Sequence, residues 1–283
     1  MKLIHASVQQ SAVLQEALGH WNRQLEEEVR TAGKAQKQQG ADPEDDQDDA
    51  ARMEEVLVLT DDPECALLLF RQGIAVIGVS FDGAGAVFTG IPYVYEDPQE
   101  ANLRDLERTW RRFRNLPWEI GQTKRCLIRE TSVADVDAFY RIYAEPSITR
   151  YTENLFADPA EERAYTQDYQ KHVYAFYGFG MWTICRKDTG EVIGRAGISM
   201  REGFELPELG YIIAVPYQQQ GYASEVCRAI LEIGQTEYGM DAFQILTESE
   251  NTASIKLCER LGFVYADQVE VGGKSLARYL LQT

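Results

Sequence analysis

Apolar positions along the chain fall into three successive rhythms. In residues 11–30, SAVLQEALGHWNRQLEEEVR, the side chains Leu14, Leu18, Trp21, Leu25 and Val29 recur at spacings of three and four, the stripe of an amphipathic helix that packs on a neighbour. From Thr31 to Met53 the periodicity stops and Gln, Lys, Gly and Asp dominate, which predicts an acidic loop over 31–53. At Val56 a second rhythm starts. VLVLTDD is a continuous apolar run ending in acids, PECALLLFRQG has a Pro near its start and a Gly past its end, and IAVIGVSF is another apolar run. Strand, short helix, strand predicts a βαβ unit with a parallel pair. GIPYVYEDPQE adds a short strand, and ANLRDLERTWRRFRN a helix with Leu103, Leu106, Trp110 and Phe113 on one face.

The third rhythm follows a bridge over 114–126. RCLIRET reads as a strand, SVADVDAFYRIYAE and PAEERAYTQDYQKHVYAFYG as helices, and GMWTICRKDTGEVIGRAGISMRE as two strands around a turn at Asp188 to Gly190. ELGYIIAVP is a further strand, followed by the loop YQQQGYA and the helix SEVCRAILEIGQTEYG. A strand, AFQILTES, a helix, NTASIKLCERLG, and a hairpin of FVYADQVE with KSLARYLLQ complete a mixed α+β domain. The expected fold is therefore α/β and α+β: a small Rossmann-like domain over 1–123 and a mixed-sheet domain over 124–283.

Composition narrows the functions. With 283 residues the chain has room for two domains with cores of their own. It holds 45 Asp and Glu against 28 Lys and Arg, a formal charge of −17, which argues against a protein that tracks nucleic-acid phosphates. The acids Asp42, Glu44, Asp45, Asp46, Asp48 and Asp49 concentrate in the predicted loop and read as a solvated connector. Five scattered cysteines without CxxC spacing read as reduced thiols of a cytoplasmic protein, and three isolated histidines give no metal-ligand pattern. The N-terminus MKLIHASVQQ has no apolar core before a cleavage site, and no apolar run is long enough to span a bilayer.

The segment that carries chemistry is Glu208 to Glu225, ELGYIIAVPYQQQGYASE. A strand feeding a tight Gln- and Gly-containing loop that opens a helix points unpaired backbone N–H groups and a positive helix end into one small volume. A pyrophosphate is held there without lysine. About thirty residues on, NTASIKLCERLGF places Asn251, Ser254 and Leu257 on a short helix that stops at Gly262.

These two segments resemble the GNAT acyltransferase superfamily, most closely its RimJ/RimL branch of ribosomal-protein alanine/serine N-acetyltransferases. ELGYIIAVPYQQQGYASE is similar to the branch's Glu-x-Gly-Tyr strand and Gln-x-x-Gly-x-Ala loop, and NTASIKLCERLGF to its Asn-x-x-Ser helix closing on Leu-Gly-Phe. The resemblance covers roughly 124–283. It implies an acetyl-CoA cleft between ELGYIIAVP and AFQILTES, with the backbone of Ile213, Ala214 and Val215 pairing with pantetheine. The amides of Gln218, Gln219, Gln220, Gly221, Tyr222 and Ala223 would hold the pyrophosphate, and Asn251 would contact pantetheine or orient the loop. Glu208 stands where related enzymes place a carboxylate base; Glu248, Glu270 or a water chain are the alternatives. Many members carry a tyrosine acid where this chain has Cys258, so the donor to the departing thiolate moves to Ser254. Cys258 itself reads as a small buried hydrophobe. The edge carrying Tyr177 and Trp182 borders the family's acceptor channel, so those two would touch substrate; the aromatic run around them is otherwise core. Glu202 and Glu205 near the channel mouth would favour a cationic amine.

Residues 56–120 resemble part of a haloacid-dehalogenase-type Rossmann domain without its Asp-x-Asp: Thr60-Asp61-Asp62 follows the first strand and Asp82-Gly83 the second. That predicts a non-catalytic docking, regulatory or dimerisation module, with a homodimer among the expectations. The expected activity is transfer of an acetyl group from acetyl-CoA to a primary amine, with no metal, nucleic acid or membrane involved. The alternative is a non-catalytic acyl-CoA sensor or scaffold coupled to the front domain. A phosphatase in that front domain is a third reading, expected to be inactive.

Overall fold

The computed structural model describes residues 3–6, 19–21, 23, 56–80, 87–96 and 102–282. The chain divides into two compact units, Met1–Leu116 and Pro117–Thr283.

In the first unit, β1 (Leu3–Ala6), β2 (Val56–Thr60), β3 (Ala75–Val79) and β4 (Val94–Tyr95) form a parallel sheet in that order. Helix α1 (Pro63–Arg71) makes the crossover from β2 to β3. Its start is local chemistry: Asp62 Oδ1 accepts the N–H groups of Glu64 and Cys65, and Pro63 takes the first helical position. β2 and β3 are buried throughout because both faces of the sheet are covered. Leu57, Leu59, Ala75 and Ile77 meet Trp21 with Leu106 and Trp110 of α2 (Leu103–Phe113). Val58, Val76 and Ile74 meet Ala66, Phe88 and Ile91 on the other face. Trp21 packs as the stripe over 11–30 predicts; the rest of that stripe, the loop over 31–53 and Asp82-Gly83 lie outside the described residues. Because the four strands lie in chain order, there is among them no reversal point of the kind at which doubly wound sheets bind ligands.

The second unit is built on an eight-stranded sheet, ordered β11-β12-β10-β9-β8-β7-β6-β5. Its strands are β5 (Glu119–Gln122), β6 (Cys126–Glu130), β7 (Met181–Arg186), β8 (Val192–Ser199), β9 (Glu208–Ile213), β10 (Ala242–Thr247), β11 (Val264–Val271) and β12 (Lys274–Gln282). The bridge over 114–126 is not free of structure: Glu119–Gln122 pairs with β6, so this segment belongs to the second unit and the 123/124 boundary shifts to 116/117. On one face, α5 (Tyr222–Tyr238) and α6 (Thr252–Leu261) close the main core with Trp182, Ile184, Ile198, Leu209 and Phe243. Gly234 is required there, since a Cβ would come within 2.7 Å of the Phe243 ring. On the other face lies α3 (Val136–Tyr143), whose Phe139 and Ile142 pack with Ala214 and Ile212.

The helix predicted over 159–178 is interrupted. α4 (Pro159–Tyr169) passes into a π-helical turn, Gln170–Tyr174, then one α-turn, Ala175–Tyr177. The cause lies downstream. Tyr169 Oη accepts the Met181 N–H at 2.9 Å, while the Tyr174 hydroxyl donates to the Met181 carbonyl at 2.5 Å and accepts from Thr131 N at 3.0 Å. Two tyrosines five apart fall on one face and reach one residue when the turn takes in one extra residue and the helix is locally underwound.

Candidate active site

The site begins with an edge that is half open. β8 pairs with β9 along its whole length, Gly194 to Ser199 against Ile213 to Glu208. β10 runs parallel to β9 but shares one register pair, Gln244 with Glu208. Beyond it the two strands part. The Ala214 N–H donates to Ile193 O at 2.8 Å, so alternation along the strand turns the N–H and C=O of Ile213 away from β8, to the open side. The Ile213 carbonyl is already taken by Gln218 Nε2 at 2.9 Å. Of the backbone groups expected to meet pantetheine, Ala214 N–H therefore belongs to the sheet and Ile213 C=O to the loop, leaving the Ile213 N–H facing the opening.

After β9 a 3-10 turn, Val215–Tyr217, leads into Gln218 and then two residues with positive φ, Gln219 at 59° and Gly221 at 84°. Helix α5 starts at once at Tyr222. No acceptor among the described residues meets the N–H groups of Gln219 through Ser224, and the first helical bond into the loop is Glu225 N–H to Gly221 O at 3.0 Å. Unbonded amides beside the positive end of a helix are the chemistry that suits an anion. Two of the glutamine side chains serve the loop itself, Gln218 on Ile213 O and Gln220 on Pro216 O at 2.7 Å.

Across the opening, α6 begins with Asn251, whose Oδ1 caps the helix by accepting the Ser254 N–H at 3.2 Å. The Tyr211 hydroxyl donates to Ser254 Oγ at 2.9 Å. Burial pushes the Tyr211 hydroxyl above its ordinary pKa, so it stays a neutral proton donor. Tyr211 lies inside the quoted strand motif, yet its role depends on a partner 43 residues away. Cys258 is fully buried, and burial raises its thiol to about 11, outweighing the Ser254 hydrogen bond. Such a thiol is no nucleophile near neutrality.

Glu208 lies on the opposite face of β9, buried, and Arg201 holds both of its oxygens, Nη2 to Oε1 at 3.2 Å and Nε to Oε2. The hydrogen bond to Glu208 raises the Arg201 pKa. Glu248 accepts from Lys274 Nζ at 2.7 Å, in a shallow hollow of about 510 Å³ that Ser249, Glu250, Gln268 and Ser275 also line. Glu270 is exposed on β11, and Glu202 and Glu205 are exposed between β8 and β9.

Trp182 is a correction. It is fully buried in the main core beside Ile184, so it cannot touch a substrate; its strand has both faces covered, and exposure cannot be read from an aromatic run. Tyr177 is half exposed, with its ring on Phe176 and Phe179, and Phe179 in turn meets Tyr238 at the end of α5. Sequence reasoning also passed over Arg125, which binds both Glu225 and the Gln220 carbonyl. Among the described residues no three His, Cys, Asp or Glu side chains are grouped to hold a metal, and no helix is long and apolar enough to cross a membrane.

Residues 125–264 match a family model described as an acetyltransferase (GNAT) domain. YkkB of Bacillus subtilis (strain 168) is 29% identical over 143 residues, 50% of this chain and 82% of its own. The uncharacterised N-acetyltransferase p20 of Bacillus licheniformis is 29% identical over 146 residues, 50% of this chain and 80% of its own. Among solved structures, RimL, a ribosomal L7/L12 α-N-protein acetyltransferase in complex with coenzyme A, aligns with a TM-score of 0.50 at 16% identity, over 58% of this chain and 97% of its own. At that identity the likeness is one of fold.

Proposed function

We propose that this chain, whose residues 125–264 match an acetyltransferase (GNAT) domain model, moves an acetyl group from acetyl-CoA to a primary amine, on a protein N-terminus or a small molecule, by direct attack. The observation that carries the reading is the half-open edge of β9 leading into a loop whose amides have no acceptor among the described residues. These residues fit the cosubstrate. Amides of Gln219 through Ser224 suit a pyrophosphate, and the Ile213 N–H suits the amide-bearing pantetheine arm. A chain of charge −17 can bind this anion because backbone dipoles, not lysines, face it.

When bound, acetyl-CoA supplies the activated acyl thioester. The chain's own residues then divide the proton work. The Tyr211 hydroxyl, kept neutral by burial and aligned by Ser254, provides a proton to a departing thiolate, with Ser254 as its relay. Glu208, directly or through water, takes the proton from the incoming ammonium after exchanging its arginine partner. The exposed Glu202 and Glu205 between β8 and β9 favour a cationic acceptor.

We read the front unit as a non-catalytic companion, with its haloacid-dehalogenase likeness confined to the βαβ pattern. Thr60-Asp61-Asp62 holds no Asp-x-Asp pair, and the Asp62 carboxylate is engaged in capping α1.

A second reading has its own support: Arg201 occupies the carboxylate assigned as base, which suits a protein that binds acyl-CoA as a sensor without turning it over. Calorimetry with acetyl-CoA, followed by coenzyme A release with a panel of peptides and polyamines, separates the two. Acceptor-dependent release supports the transferase. Binding without release supports the sensor, and no binding sinks both.

A further inference from the structure

Arg125, the residue before β6, bonds both to the loop after β9 and to the first turn of α5. Its backbone N–H donates to Glu225 Oε1 at 2.8 Å and its Nε to Glu225 Oε2 at 2.7 Å. Nη1 donates to the Gln220 carbonyl at 3.0 Å, and the guanidinium carbon lies 3.9 Å above the Tyr222 ring centre. The Arg125 carbonyl in turn accepts the Lys187 N–H at 2.9 Å, which anchors it to the turn between β7 and β8.

Two consequences follow for the loop. A peptide unit is planar and trans, so its C=O and N–H point in opposite directions. Holding Gln220 O toward Arg125 therefore aims the Gly221 N–H the other way, into the volume where the remaining amides converge. Glu225 is an acid in the first turn of α5, where its charge would oppose any bound anion. Arg125 cancels that charge: burial works to raise the Glu225 carboxyl, but hydrogen bonds from Thr123 and Arg125 and the arginine's charge hold it below its ordinary value.

We propose that Arg125 is a positioning residue that preforms the pyrophosphate loop by locking the Gln220–Gly221 peptide plane and neutralising Glu225. The proposal rests on the reading of this loop as the acetyl-CoA cradle. Lysine cannot reproduce the role: the backbone N–H bond to Glu225 Oε1 survives the change, but a point charge cannot hold Glu225 Oε2 and Gln220 O together as Nε and Nη1 do, and it offers no flat face to lie on Tyr222.

The test compares Arg125→Ala and Arg125→Lys with the wild-type full chain. Amide hydrogen exchange of Glu225, whose N–H closes the loop on Gly221 O, is measured without ligand, coenzyme A affinity by calorimetry, and KM for acetyl-CoA against kcat by turnover. Both variants should exchange this loop-closing amide about tenfold faster while β6 and β7 keep wild-type protection, as expected for losing a charge-assisted hydrogen bond. Coenzyme A Kd and the acetyl-CoA KM should rise about tenfold with kcat within twofold. If Arg125→Ala does not fold, Arg125→Lys alone carries the test. Unchanged loop exchange in a folded variant, or wild-type affinity and exchange in Arg125→Lys, overturns the proposal. Wild-type protein that fails to bind coenzyme A while its loop exchange responds as expected removes the cosubstrate reading and leaves Arg125 as the loop's anchor.

Discussion

Tyr211 on β9 and Ser254 on α6 share a hydrogen bond of 2.9 Å across the opening where β9 and β10 part. The bond joins the strand that leads into the anion loop to the first turn of the helix that follows β10. It also fixes the Ser254 hydroxyl while the same residue's N–H is held by Asn251. One short stretch of α6 is thereby tied to the cleft by its side chain and to its own cap by its backbone.

Tyr211→Phe tests whether the pair moves a proton. The expected outcome is a fall in kcat of about 10²-fold with little change in acetyl-CoA KM, the size of a lost general acid. Ser254→Ala should fall about as far, because it removes the relay between Tyr211 and the thiolate. Since burial holds the tyrosine above its ordinary pKa, it stays protonated through the working range, and wild-type kcat should show no alkaline loss from it below about pH 10. Steady-state rates from pH 6 to 10 check both statements; equal kcat in Tyr211→Phe and wild type would remove the role.

Glu208 offers a sharper contrast because its carboxylate is already engaged by Arg201. Glu208→Gln keeps the shape and removes the base. Turnover should drop about 10²-fold across the pH range. A variant with wild-type rates at every pH would pass the base role to Glu248, Glu270 or water.

The parts of this architecture that were legible in the sequence are those whose causes are local. Pro63 near the start of α1, the Gly-containing loop before Tyr222 and Gly262 at the stop of α6 each act within one turn, so spacing alone predicts them. The rest depends on partners far along the chain. Arg125 and Glu225 are 100 residues apart, and the π-helical turn after Tyr169 exists because Tyr169 and Tyr174 both reach Met181. Trp182 shows the same limit from the other side: its alternation with Thr183 is plain, but β7 is buried on both faces, so neither face leads to substrate.

Asn251 was expected to serve the cosubstrate, and its oxygen is found capping α6. Asn251→Ala should lower stability by about 1 kcal/mol, and Asn251→Asp, which retains a capping oxygen, should lower it by much less. If the residue acts through the cap, coenzyme A affinity tracks stability across the two variants. Wild-type stability combined with a tenfold weaker affinity in Asn251→Asp would instead assign its amide to the ligand.

Cys258 should be dispensable for chemistry. With its thiol raised to about 11 and no exposed surface, a thiol reagent at pH 8 should leave it unlabelled in the folded protein. Cys258→Ala should keep kcat within about twofold while costing roughly 1–2 kcal/mol of stability for the vacated core volume. Rapid labelling, or loss of turnover in a stable Cys258→Ala protein, would reopen an acetyl-enzyme route.

The deepest ion pair of the second unit predicts how it responds to acid. Asp135 receives Arg129 Nη1 at 2.7 Å and Nη2 at 2.6 Å, Ser132 N–H at 2.8 Å and the Thr183 hydroxyl at 3.0 Å, and its side chain is 4% exposed. Burial pushes its carboxyl up, but the arginine and the hydrogen bonds outweigh that and leave it below the ordinary value of 3.8. A carboxyl depressed in the fold contributes stability that is complete above its unfolded pKa and is lost as pH falls through the folded one. Urea midpoints should therefore hold steady down to about pH 5 as far as this group is concerned, then decline below about pH 4. Asp135→Asn leaves Arg129 buried without its counter-charge, at a cost of roughly 3–5 kcal/mol at pH 7, and the gap from wild type should narrow as both are taken below pH 4. A gap that stays constant from pH 7 to pH 3 would mean that the pair's charge does not hold this corner of the sheet.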